Sequence, residues 1–420
     1  MAKRLTTLII GLLAALAGLA LVVVGLVGAH SNGQESERFL TGAAAIPSGV
    51  LLLEIGLAAA WLAWLALRGR ASGPVALPFW WVSALVFVLA VGAGWLALRA
   101  GYWWLFFPFG TVAVFAPVAL VGRFGLPSSG ARPAWSRVLP AFAWGAIVTP
   151  LLAIVLELLA ALGAVAAAGA GLALGDANSL EVLRRTIQHL EGRTLTDAQT
   201  AALLEALLRQ PLVLAVGAFV LVFAGPVCEE LGKFGAALLF SRAWPGRGER
   251  DTVLTIFLIG LASGLGFAAT ENIFYAAQAG PAGWGPLVLA RAATPLMHGT
   301  ASALFALGWA RQARNPRGWA LLWGALGAFA VHGAWNLGSG LLVVAGLLAG
   351  VGGNARTLAG LSVAILLGVL ALLVAGCIVT LLRLRHLLGA EANESGSRAV
   401  GQSGSGFSAA PRQQSGTVPA

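Results

Sequence analysis

Charge is what this sequence has least of. Asp, Glu, Lys and Arg together make up 10% of its residues, whereas a soluble domain carries about 25%. A chain this poor in charge cannot present a water-compatible surface, which excludes a soluble globular protein and leaves lipid as the solvent. Only two cysteines occur, Cys228 and Cys377, with no Cys-x-x-Cys pair and no Cys/His zinc framework. No HExxH motif is present either, so any metal would take its ligands from separate helices. Nothing alternates as barrel strands would. The net charge of +10 is spread as arginines over short loops and not gathered into one patch, which argues against a nucleic-acid partner.

What is abundant is apolar sequence. Hydrophobic residues make up 59% of the chain, the mean hydropathy is +0.87, and there are 56 glycines, small residues that let membrane helices approach closely. The fold class is therefore all-α, a polytopic transmembrane helical bundle embedded in the lipid bilayer. Runs long enough to cross a hydrocarbon layer of ~30 Å fall in about ten places. They lie near 5–29, 46–67, 78–98, 103–121, 138–174, 211–241, 252–278, 287–310, 318–347 and 358–382. The first run is too long for the apolar core of a signal peptide and reads as a span. Arg68/Arg70, Arg123/Arg132/Arg137, Arg242/Arg247/Arg250, Arg311/Arg314/Arg317 and Arg383/Arg385 all fall on one side with Lys3/Arg4. The positive-inside rule then puts both termini in the cytoplasm.

These runs group into an N-terminal region of about four spans over 1–137, a long fifth span over 138–174, and an extracytoplasmic helical loop over 175–210. A four-span core over 211–345, a last span over 346–388 and a disordered tail over 389–420 follow. In the loop, Thr196 and Gln199 have the spacing of a capping box.

Ionisable groups inside a membrane are costly and need a reason. Here they gather on the four spans of the 211–345 core. "GPVCEELGKF" places Glu229 and Glu230 side by side, with Lys233 four and three residues on, one helical turn away. Gly225-Pro226 just before them should kink the helix. "GFAATENIFYAA" carries Phe267 and Glu271 one turn apart, with Asn272 next. His298 stands mid-span, with Ser302 one turn later and Arg291 two turns earlier. "VHGAWN" puts His332 and Asn336 on one helical face, an arrangement suited to a catalytic group with an oxyanion donor. Carboxylate plus imidazole in a membrane is what water activation requires. Either the carboxylate deprotonates water directly, or His and Glu hold a metal that lowers the water's pKa.

The ordered set EELGK, FAATEN, His298 and HGAWN resembles the PrsW family of intramembrane proteases, itself distantly similar to the CAAX prenyl protease superfamily. The resemblance implies that Glu229, Glu230 and Lys233 form one motif, with Glu229 the general base on water. Phe267 and Glu271 form the second, His298 the third, and His332 with Asn336 the fourth, Asn336 stabilising the tetrahedral oxyanion. The CAAX enzymes carry His where this chain has Glu271, which leaves open whether Glu271 binds a metal, shares a proton or orients a neighbour. Glu271, His298 and His332 are the candidate metal ligands, and the family label implies a divalent metal, zinc.

The expected function is an intramembrane protease of the metallo type in a bacterial plasma membrane. It would hydrolyse a peptide bond in or near the membrane segment of a membrane-anchored protein, the family suggesting anti-sigma factors. The rivals are a proton-coupled transporter, which would also use intramembrane Glu, Lys and His, and a noncatalytic membrane scaffold or sensor. A transporter would have matching interrupted helices in both halves. The first half offers only Glu54 and Glu157 as intramembrane acids.

Overall fold

Two prolines set the local geometry around which this bundle is organised. Proline has no amide hydrogen and cannot complete the bond to the carbonyl four residues back. Before Thr149-Pro150 and before Gly225-Pro226 the helix widens into a π turn, Trp144–Val148 and Phe219–Ala224. The Thr149 amide bonds to the Trp144 carbonyl and the Gly225 amide to Val220. These shifted bonds leave carbonyls for side chains from other helices. Thr270 Oγ1 donates to Ala146 O at 2.6 Å, and Asn336 Nδ2 donates to Leu221 O at 3.0 Å. The kink expected at Gly225-Pro226 thus takes the form of a π turn.

The computed structural model describes residues 1–30, 35–127, 132–175, 211–243, 251–349 and 353–404. Among them, the helices are α1 (Ala2–Ala29), α2 (Glu35–Leu67), α3 (Trp80–Arg99), α4 (Trp103–Gly125), α5 (Trp135–Ala143) and α6 (Thr149–Gly175). Then come α7 (Pro211–Ala218), α8 (Gly225–Phe240), α9 (Val253–Gln278), α10 (Gly280–Ala290), α11 (Thr294–Gln312), α12 (Ala320–Ala349) and α13 (Gly353–Gly404). Among the described residues no strand forms and nine helices are long and apolar enough to cross a membrane, so the all-α polytopic bundle holds. The loop expected over 175–210 lies, apart from Gly175, outside the described residues.

α11 is not among the nine, because it carries the site's polar residues. It is nonetheless almost entirely buried, from Thr294 to Ala310. The single span expected over 287–310 is instead broken. α10 ends at Ala290, a 3₁₀ turn covers Arg291–Ala293, and Pro295 opens α11. Proline in the first turn of a helix is tolerated because its missing amide would be unpaired there, and it resists helix on its N-terminal side. At the other end of the chain, helix α13 runs on to Gly404, past position 389, where the disordered tail was expected to begin. Ala390, Glu391 and Ala392 are residues that let helix propagate from an apolar span.

The centre of the bundle is α9, with 83% of its most apolar window buried. Its neighbours reach it across glycines. A Cβ on Gly145 would lie 1.9 Å from the Ser263 carbonyl, and one on Gly264 would lie 2.3 Å from the His298 carbonyl. Only glycine lets the π turn and α11 approach the central helix this closely. Outward-facing positions carry large apolar side chains, such as Leu158, Phe223, Leu239 and Leu372, as a lipid-solvated surface requires.

Candidate active site

Lys233 is the hub. Its side chain is fully buried, and an ammonium has three hydrogens to place. All three are placed: Nζ donates to Glu229 Oε2 at 3.0 Å, to Glu230 Oε1 at 2.8 Å and to His298 Nδ1 at 2.9 Å. The Phe267 ring lies 4.0 Å beneath the same nitrogen, a cation–π contact that adds to its compensation. Ser263 Oγ donates to the Lys233 carbonyl, tying the hub's backbone to α9.

The adjacent carboxylates have different surroundings. Glu230 has no exposed side-chain surface. Its Oε1 accepts from Lys233 and from His332 Nδ1 at 2.9 Å, and its Oε2 accepts from Ser302 Oγ at 2.8 Å. This carboxylate is fully occupied and acts as an anchor. Glu229 is 12% exposed at its side chain. Its Oε2 takes the Lys233 bond and lies 3.9 Å from His298 Nδ1 and 3.6 Å from His332 Nε2. Its second oxygen takes no part in those contacts.

The hydrogen bonds also fix the tautomer of each imidazole. Lysine can only donate, so His298 Nδ1 is an acceptor and the proton sits on Nε2, which donates to Glu271 Oε2 at 2.7 Å. A carboxylate can only accept, so His332 Nδ1 donates to Glu230 and leaves its Nε2 lone pair facing Glu229. Each histidine is therefore backed by a carboxylate, the arrangement that orients imidazole ligands around metals. The rings stand 4.8 Å apart and perpendicular.

Sequence reasoning placed Glu229, Glu230, Lys233, Glu271, His298 and His332 together, and the structure brings all six into one network. It sets them in distinct layers. Glu229, His298 and His332 each offer a ligand atom within 4.8 Å of the others. Glu271 lies outside that triad, on the far nitrogen of His298. Asn336 sits one turn from His332, and one of its two amide hydrogens goes to Leu221 O.

Two further residues had no assigned role. Arg291 pairs with Glu271 at 2.9 Å, donates from Nε to Asn272 Oδ1 at 2.9 Å, and covers the Tyr275 ring. It locks Glu271 in place. Its signal was visible, an arginine two turns before His298, but its partner lies on α9. Glu157 of α6 lies beside Glu229. It comes from the half of the chain that carries no site motif, so only the packing of α6 on α8 reveals it.

The residues present suit a divalent ion by donor chemistry. Two imidazole nitrogens and a carboxylate oxygen converge, and both imidazoles have carboxylate support. The Lys233 ammonium borders the same space, bonded to two of the three donors, so an ion there would take over its contact with His298.

A family model described as PrsW family intramembrane metalloprotease matches residues 194–375. No curated protein matches the chain, and no solved structure matches it.

Proposed function

We propose, from the match of residues 194–375 to the PrsW family intramembrane metalloprotease model, that this chain hydrolyses a peptide bond in or near the membrane segment of a membrane-anchored protein. Anti-sigma factors are the substrate class the family resemblance suggests. The observation that carries this reading is the unequal pair Glu229 and Glu230, one anchored on every side and the other open.

Glu229 takes the proton of the attacking water on the oxygen that Lys233 does not hold, and Glu157 beside it offers that proton a route onward. Lys233 holds Glu229 in place through its other oxygen. Glu230 and Ser302 hold His332, and Arg291 and Glu271 hold His298, so neither ring needs to reorganise as charge develops. Asn336 has a second amide hydrogen for the oxyanion of the tetrahedral intermediate. A divalent metal, zinc by the family label, would be held by Glu229, His298 and His332 and would supply Lewis-acid polarisation of the scissile carbonyl and of water. The bacterial plasma membrane, with both termini in the cytoplasm, is the setting that the loop arginines and the family support.

The test is cleavage of candidate single-span membrane proteins in proteoliposomes by wild type, Glu229→Gln and His332→Ala, each with and without a chelator. The protease reading expects cutting by wild type alone. Solute uptake driven by a proton gradient and dependent on Glu229, with no cleavage across a broad panel, would replace it with the transporter.

A further inference from the structure

On the opposite side of α9 from the catalytic network lies a second chamber. It is a cavity of about 360 Å³ lined by Leu51, Glu54, Phe115, Trp135, Leu258 and Leu261 among others. Its volume is in the range of small-molecule pockets. Leu51, Glu54, Ile55 and Ala58 recur at helical spacing, so one stripe of α2 forms a wall, on which Glu54 is an exposed residue lining the cavity. Two connectors close one end. The Val75 amide bonds to the Pro133 carbonyl and the Trp135 amide to the Gly73 carbonyl, with Ser72 and Ser136 hydroxyls joined at 2.9 Å. Val75, Leu77 and Trp135 thereby form a floor under the chamber.

Glu54 is the anomaly. Among the described residues it is the sole ionisable one lining the cavity. It stands near the middle of a 31-residue apolar stretch. Among the described residues, no cation and no hydrogen-bond donor reaches it. The catalytic acids are all partnered, whereas this one is not, and an unpaired acid in a membrane-embedded apolar cavity is costly unless something complements it.

We propose that this cavity binds a small lipophilic amine, its apolar body among Leu51, Phe115, Leu258 and Leu261 and its ammonium on the Glu54 carboxylate. The charge of Glu54, the ionisable group of the described wall, selects a cation. The apolar remainder selects an alkyl or aryl body, and the volume admits one such chain. This site is separate from the peptidase chemistry and does not rest on it.

The probe is dodecylamine, compared with dodecanol and dodecanoate, on the purified full-length protein by native mass spectrometry. Wild type should hold the amine about tenfold or more tightly than the alcohol, as expected of a charge-assisted bond in place of a neutral one, with the carboxylate weakest. Glu54→Gln keeps the shape and should bring amine and alcohol within about twofold of each other. A brominated amine should quench tryptophan emission, and Trp135→Phe should remove that part of the quenching. Equal affinity for amine and alcohol in wild type would overturn the proposal. So would an amine preference that survives Glu54→Gln, or quenching indifferent to Trp135→Phe.

Discussion

Lys233→Met removes the hub of the site without leaving a hole, because methionine keeps the length and bulk of the stem. It strands Glu229 and Glu230 side by side with no cation, and it takes a donor from His298 Nδ1. The three lost bonds measure 2.8–3.0 Å, and the lysine and Glu230 are fully buried. Breaking a buried pair by removing one partner costs about 3–5 kcal/mol, mostly the penalty of the charge left behind. For a chain of 420 residues the melting shift is at most roughly 2 °C per kcal/mol, which makes that up to about 6–10 °C. The double change Glu230→Gln/Lys233→Met withdraws one stranded carboxylate along with the cation, and it should recover about half of the loss. The assay is thermal unfolding of the detergent-solubilised protein. The reasoning fails if Lys233→Met melts within about 2 °C of wild type, or if the double variant melts lower than the single.

Glu271→Gln removes the negative charge behind His298 Nε2, so turnover should fall about 10–100-fold with KM little changed; steady-state kinetics on a cleaved membrane substrate decide. Ser302→Ala leaves Glu230 Oε2 without a donor in a dry interior, which should cost about 1–3 kcal/mol in thermal or denaturant melts. Gly145→Ala drives a methyl into the Ser263 carbonyl, backbone against backbone. It should destabilise by about 1–3 kcal/mol or more, visible as poor folded yield and a lowered melting point.

Much of this molecule could be read from its sequence because its solvent is lipid. A run of apolar residues bounded by arginines announces a span, and an ionisable residue inside such a run announces a site. Glu229, Lys233, His298 and His332 were singled out this way, and the structure brings them into one network. The π turns were harder to see. Gly225-Pro226 signalled a kink, but the form it took depends on Asn336 arriving from α12 to satisfy a freed carbonyl. The break at Arg291–Ala293 was hidden because apolar content runs through it, and hydropathy does not register where proline ends a helix. Arg291 and Glu157 were visible as charges but not as partners. Pairing between helices is set by packing, here by glycine contacts such as Gly145 on Ser263, and no spacing rule in one dimension reports it. The separation of Glu271 from the Glu229–His298–His332 triad had the same cause, since it depends on which ring nitrogen faces which helix.

Peptidase activity at this site depends on Glu229 delivering water to the scissile bond. The most direct measurement is single-turnover cleavage of a membrane-anchored substrate in ¹⁸O-labelled water, followed by mass analysis of the new carboxyl terminus, with wild type and Glu229→Gln compared at equal folded concentration. The account predicts that the label appears in the wild-type product and that Glu229→Gln forms the same product about 10²–10⁴-fold more slowly. A Glu229→Gln rate equal to wild type would contradict it.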